Sequence, residues 1–286
     1  MPDSVTKNIN RHLQALVGER NPRTSLGALH EAGNYILQEF NSLNLITRKE
    51  PVGFEGTESS NILAFQAGTD SSQGYFVLAA HYDSVEETPG ADDNASAVAA
   101  LLEIARSLEA VPLKVPLLYA AFTLEEYGFI GSKEFIRQAQ KNSQKFFGMI
   151  SLEMVGYRDS TPGSQSFPPY MDASQFSSAG DFIAVVGNEP SAELTHAVAE
   201  LMHRSEPNLP VERLVVPGRG EQFPEVNLSD HSPFWDHGTP AVMITDTAFL
   251  RNPNYHQPTD TLETLDIDFI RDVVQGTTGF LKNYLG

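Results

Sequence analysis

A chain of 286 residues, 41% of them hydrophobic, has enough apolar material for one large core and exceeds the size of a small module. Its 37 acidic against 19 basic residues leave a formal charge of −18, which argues against nucleic acid or an anionic membrane as partner, because both demand a basic patch. There is no cysteine, so disulfides, thiolate-bound zinc and thiol catalysis are excluded.

Residues 1–7 lack the charged-then-apolar pattern of a secretory leader. No apolar run reaches the roughly 18 residues that suggest a membrane span. The expectation is a soluble, cytoplasmic protein, monomeric or weakly self-associating. Helical spacing marks residues near 5–17 and 25–43, where Leu26, Leu29, Ala32, Ile36 and Phe40 share a face. These N-terminal helices are expected to pack on a single catalytic domain spanning 1–286. Residues 61–65 read as a strand, and 75–80 form the continuous apolar run of a strand buried on both faces. That second strand delivers His81.

Val98, Leu101, Leu102, Ala105 and Leu108 then recur at helical spacing, with Asp93, Asn94 and Ser96 available as N-terminal caps. Further strands are predicted over 115–123, 147–155, 182–186, 211–216 and 241–245. Helices are predicted near 190–204 and from about 266 onward, the last burying Phe269, Ile270, Val273, Val274, Phe280 and Leu281. Strands alternating with helices imply an α/β fold with a mainly parallel sheet covered on both faces. Sites in such sheets form outside the carboxyl ends of the strands. The Ser-, Pro- and Gly-rich stretch 159–180 is expected to be a long loop, a flap over the site.

Imidazoles and carboxylates fall where such a site would be. His81-Tyr82-Asp83 ends one buried run, Glu125-Glu126 follows another, Glu153 closes a third, and Asp92-Asp93 and Tyr255-His256 sit in loops. A two-metal hydrolase needs terminal ligands on each ion, a bridging carboxylate and a nearby base. His81 and His256 suit the imidazole positions, one per metal. Asp83 is placed to accept the second ring N–H of His81. The Glu125-Glu126 pair offers one carboxylate to a metal and one to the water, and Glu153 completes the other metal. The remaining histidines, His12, His30, His196, His203 and His237, are simplest as surface or packing residues. Adjacent glutamates usually mark a solvated surface, but this pair follows the apolar run 117–122 and precedes Tyr-Gly. A G-x-S-x-G elbow, a Walker loop and an H-E-x-x-H helix are all absent from the sequence. Gly218-Arg219-Gly220 lacks the third glycine of a dinucleotide fingerprint and reads as a turn.

The segments HYDS, PGADDNAS, EEYGFIGS, SLEMVGY, SDHSPF and YHQPTDT resemble those of the co-catalytic zinc aminopeptidases, a family with glutamate carboxypeptidase and glutaminyl cyclase relatives. The resemblance runs from about residue 75 to the C-terminus. It implies a three-layer α/β/α domain around a mixed, mostly parallel sheet and two Zn²⁺ per chain, with Co²⁺ or Mn²⁺ as substitutes. By position, His81 and Glu153 would hold one zinc, Glu126 and His256 the other, and Asp93 rather than Asp92 would bridge, followed by a cis bond to Asn94. Glu125 matches the general base and Tyr255 a tyrosine that steadies an oxyanion. Asp230 and His231 match a site-lining loop. Glu153 stands where many aminopeptidases carry Asp, and Ala97 where Gly is usual. The implied activity is zinc-dependent exopeptidase cleavage of the N-terminal peptide bond. The rivals are a single-zinc glutaminyl-peptide cyclotransferase and a non-catalytic binding domain of the same fold.

Overall fold

The apolar runs build one sheet. In the computed structural model, which describes residues 4–286, eight strands pair in the order β1-β2-β4-β3-β5-β8-β6-β7. They are β1 (Ile46–Phe54), β2 (Thr57–Gln66), β3 (Tyr75–His81), β4 (Leu117–Phe122), β5 (Phe146–Glu153), β6 (Ile183–Asn188), β7 (Val211–Val216) and β8 (Ala241–Thr245). The central pairings β4-β3, β3-β5 and β5-β8 are parallel, as is β6-β7. The β1-β2, β2-β4 and β6-β8 pairings are antiparallel, so the sheet is mixed with a parallel centre, as expected. Residues 1–3, part of the stretch 1–7 read above, lie outside the described residues.

Period-two alternation sends side chains of one strand to opposite layers. Phe76, Leu78 and Ala80 of β3 join the larger core, under α1 (Ser4–Leu16), α2 (Leu26–Asn41), α3 (Ala97–Leu108), α5 (Ala192–Ser205) and α7 (Ile267–Leu285). Val77 and Ala79 face a smaller core, where Phe122, Phe135, Phe146 and Phe234 interlock beneath α4 (Ile130–Lys141) and α6 (His231–His237). No helix among the described residues is long and apolar enough to cross a membrane.

The structure corrects several expectations. Strand β1 was not anticipated: its sequence ITRKEPVGF is charged and contains proline, both compatible with an edge strand. Its hairpin with β2 turns through Glu55 and Gly56, both at positive φ. Helix α4 was also missed, because it buries only Phe135, Ile136 and Ala139 beside Gly131 and Ser132. Asp93, Asn94 and Ser96 do not cap α3 with their side chains. Residues 91–96 wind as a wide turn containing the cis Asp93–Asn94 peptide, and their polar groups are engaged elsewhere. Residues 230–231 open helix α6 instead of lying in a loop.

Candidate metal centre and the pocket beside it

The carboxyl ends of the parallel strands converge. His81 is the last residue of β3 and Glu153 the last of β5, while Glu125 and Glu126 lie just past the end of β4. Leu124, Met154 and His256 hold positive φ at these delivery points. Non-glycine residues pay a steric cost there, and such conformations gather at functional sites.

Asp93 lies at the middle. Its Oδ1 is 3.3 Å from Nε2 of His81, and its Oδ2 is 3.1 Å from Nε2 of His256. Nε2 of His81 also faces Glu153 Oε1 at 3.4 Å and Glu125 Oε2 at 4.0 Å. Nε2 of His256 faces Glu126 Oε2 at 3.3 Å. Three groups have their ligand atoms within 4.8 Å of one another: His81-Asp93-Glu153 and Asp93-Glu126-His256, the two donor sets that share Asp93, and His81-Glu125-Glu126. A ring nitrogen carries at most one proton, so His81 cannot satisfy three converging carboxylate oxygens. A divalent cation with hard-to-borderline acidity would, and imidazole plus carboxylate is a donor set that zinc accepts. The residues therefore fit a metal centre.

The charges agree with this. Burial raises the Glu125 carboxyl well above its ordinary range, and the charges of Glu153, Glu126 and Asp230 raise it further against the pull of His81. Burial, with Asp93 beside it, pushes Glu126 up to about 7. Burial works against protonated imidazole, but hydrogen bonds to Asp93 and Glu126 outweigh it and hold His256 at about 10.

An outer ring of polar groups fixes these side chains. Asp83 is fully buried and accepts from the backbone N–H groups of Glu125 (3.0 Å) and Glu126 (3.2 Å). Its Oδ1 stands 3.6 Å from Nδ1 of His81. Asp83 thus seats the glutamate pair and lies beside the imidazole, whose Nδ1 is buried with no hydrogen-bond partner among the described residues. Asp260 accepts from the N–H groups of Asp92 and Asp93. Asn94 bonds the backbone on both sides of Glu153, at Leu152 O and Met154 N. Ser229 donates to Glu153 Oε2 at 2.7 Å. Asp92 points away from the centre, to Gly156 N, Ser96 Oγ and Asn252 Nδ2. The sequence reading missed the roles of Asp260, Asn94 and Ser229. YHQPTDT contained Asp260, but its partners are backbone amides, which no residue pattern announces.

Tyr255 stacks on His256, with ring centroids 3.8 Å apart. Asp230 is buried, and neither carboxylate oxygen has a hydrogen-bond partner. His231 is placed differently from the expectation: its Nε2 bonds Val226 O at 2.7 Å and its ring meets Trp235 edge-on, a packing role outside the donor sets. Among the other histidines His12 is buried, on Tyr35.

Glu153 and Tyr255 also line a cavity with about 880 Å³ of empty space, its open mouth included. Its other walls come from β6, β7, β8 and the loop 159–180, through Phe167, Tyr170, Phe176, Leu214, Met243 and Phe249. The exposed large hydrophobic residues among those described are Ile46, Tyr170, Leu228 and Phe249, and all but Ile46 line this cavity. An apolar cavity abutting a cluster of convergent polar groups is the usual form of a small-ligand site.

Known proteins place this geometry. The model of "Peptidase family M28" matches residues 61–280. The uncharacterized protein YfbL of Escherichia coli is 35% identical over 292 residues, covering 99% of this chain and 88% of its own. The crystal structure of the LapA aminopeptidase of Legionella pneumophila superposes with a TM-score of 0.78 at 18% identity, over 98% of this chain and 72% of that one. The glutaminyl cyclase of Porphyromonas gingivalis superposes with a TM-score of 0.73 at 20% identity, over 99% and 98% of the two chains. These two structures share the fold. The chain belongs to peptidase family M28, the family of the co-catalytic zinc aminopeptidases that its motifs resemble.

Proposed function

We propose that the chain is a two-zinc aminopeptidase that hydrolyses the first peptide bond of peptides with an apolar N-terminal residue. The observation that carries this reading is Asp93, whose two oxygens each face a different imidazole. His81 and Glu153 would hold one Zn²⁺, Glu126 and His256 the other, with Asp93 shared between them. Zinc bound there would acidify water and polarise the scissile carbonyl.

The chain's own residues do the rest. Glu125 is in neither of the two donor sets that share Asp93, and its carboxyl is held ready to carry a proton. It takes the proton from the attacking water and returns it to the leaving amine. Asp83 fixes Glu125 through its backbone N–H and sets a negative charge beside the His81 ring. The Tyr255 hydroxyl donates to the oxyanion as charge develops. The cavity beside Glu153 and Tyr255 receives the first side chain, and its lining excludes water from that side.

A glutaminyl cyclase is the second reading, supported by the fold likeness over nearly the whole of both chains. A single zinc would leave one of the two donor sets that share Asp93 without an ion, which favours the two-zinc hydrolase. Zinc per chain, measured with cleavage of a panel of aminoacyl chromogenic substrates, decides between them. Two zincs, release of apolar residues, and a Glu125→Gln variant that keeps its zinc but loses turnover are the expected results. One zinc with cyclisation of N-terminal glutamine overturns the proposal, and an active Glu125→Gln variant overturns the base.

A further inference from the structure

Three separate loops deliver the centre: 81–84 brings His81 and Asp83, 88–93 brings Asp93, and 124–127 brings Glu125 and Glu126. A short piece of chain between α1 and α2, lying before the region that the family model matches, bonds to all three. Arg20 is 2% exposed, yet among the described residues its guanidinium bonds carbonyls and no carboxylate. It donates to the main-chain carbonyls of Tyr82 (2.7 Å), Pro89 (2.9 Å) and Gly90 (2.8 Å), and to those of Leu16 and Gly18. The Arg20 backbone exchanges further bonds with Ser84, and Gly18 N donates to Pro89 O. Asn21, fully buried, donates to Ser84 O at 2.9 Å and accepts from the Tyr127 hydroxyl at 3.0 Å. Arg23 then lies over the Tyr127 ring at 4.9 Å.

A buried guanidinium normally finds a carboxylate, because desolvating its charge is costly. Here all three nitrogens donate to carbonyls, Nε to Tyr82, Nη1 to Leu16, Gly18 and Pro89 and Nη2 to Gly90, groups that every residue offers and that report only backbone position. Its charge is balanced at longer range by Asp83, Asp260, Asp93 and Glu126, the anions of the centre and its outer ring. Gly90 is at φ +61 and a Cβ there would lie 2.7 Å from Nη2 of Arg20, so the carbonyl approach needs glycine.

We infer that Arg20 and Asn21 are positioning residues of the metal centre: they fix the three ligand-bearing loops relative to one another and so set the affinity for zinc. The inference rests on the metal-centre reading above. Removing an outer partner of a ligand typically weakens metal binding by about 10–100-fold. The same range is expected here for both ions, because the tied loops serve both donor sets.

The test is zinc titration of the metal-free full chain against a chromogenic chelator, for wild type, Arg20→Met, Arg20→Lys and Asn21→Ala, with circular dichroism and Tm of each metal-free chain. The expected result is folded variants whose zinc affinity falls about 10–100-fold, with kcat lowered and KM unchanged at saturating zinc, and partial recovery in Arg20→Lys. Should Arg20→Met fail to fold, Asn21→Ala decides, since it removes three bonds and no buried charge. Folded variants with a lower Tm but wild-type zinc affinity would make the segment purely structural and overturn the inference, leaving the centre intact. A wild-type chain that binds no zinc would overturn the centre itself and the inference with it.

Discussion

The metal centre and the apolar cavity share Glu153 and Tyr255, yet they are held by opposite means. At the centre the carboxylate ligands are fixed through backbone bonds drawn from distant segments: Asp83 on the amides of 125 and 126, Asp260 on those of 92 and 93, Asn94 on the backbone of 152 and 154. The loop 159–180 of the cavity wall has its two arms joined by backbone bonds, from Asp159 N on Gly180 O up to Gly163 N and Gln165 N on Ser178 O, and its Ser166 N reaches Leu250 O. Its tip relies on side chains: Phe167 stacks on Phe176, and Tyr170 sets its ring on Phe223 and its hydroxyl on Glu225. Chemistry with charge development needs ligands fixed to a fraction of an ångström, whereas apolar contact is non-directional and tolerates repacking. One region is therefore built for position and the other for surface.

The sharpest way to break this contrast is Asp260→Asn. Both carboxylate oxygens accept N–H donors, at 2.9 and 3.1 Å, and Asp260 touches no substrate cavity. An amide offers one oxygen and turns an NH₂ toward the other donor. Zinc affinity and kcat are expected to fall about 10–100-fold with KM little changed. Wild-type zinc affinity would show that the backbone seat of Asp93 is not what orders the centre.

The same contrast explains what the sequence made legible. Continuous apolar runs placed β3, β4 and β5 and therefore the shelf on which the site lies, because a strand buried on both faces has no polar alternative. The residues that converge are chemically conspicuous: imidazoles and carboxylates at strand ends. What holds them was hidden. Arg20, Asn94, Asp260 and Ser229 act mostly on backbone amides, carbonyls or a single oxygen, and such partners leave no mark in a residue string. Strand β1 was hidden for a related reason, since an edge strand buries only Glu50 and Val52 of nine positions. The cavity was the least legible part. Its lining is gathered from short pieces of chain between 153 and 255, with no shared period.

Tyr170→Ala sharpens the comparison from the other side. It removes the 2.8 Å bond to Glu225 and the edge-on contact with Phe223, 4.8 Å between centroids. Each interaction is worth roughly 0.5–1.5 kcal/mol, and Tyr170 is partly solvated, so kcat/KM for a bulky apolar first residue should fall about 3–10-fold. The change should lie in KM, while an alanyl substrate and the zinc affinity stay as in wild type. A drop in zinc affinity would mean that wall and centre are mechanically one.

The smallest effect concerns the support of the cavity wall at Val226. Nε2 of His231 donates to Val226 O, leaving Nδ1 buried without a partner. Burial holds this imidazole neutral, with its pKa lowered to about 4 from 6.5, although the Val226 bond works the other way. The unfolded chain therefore binds the extra proton between pH 6.5 and 4 and the folded chain does not. The stabilisation is full above 6.5 and is lost as pH falls toward 4. A His231→Phe variant keeps the edge-on ring against Trp235 but loses the bond and the titration. At pH 7 its Tm should lie about 2–4 °C below wild type, the equivalent of one hydrogen bond in a chain of this size. On acidification the gap should close and then reverse, because only the wild type carries a ring that the unfolded state protonates more readily. All other acid-sensitive groups are common to both proteins and cancel in the difference. A gap that stays constant from pH 7 to 4.5 would show that this ring does not titrate on unfolding, and that the wall is held by packing alone.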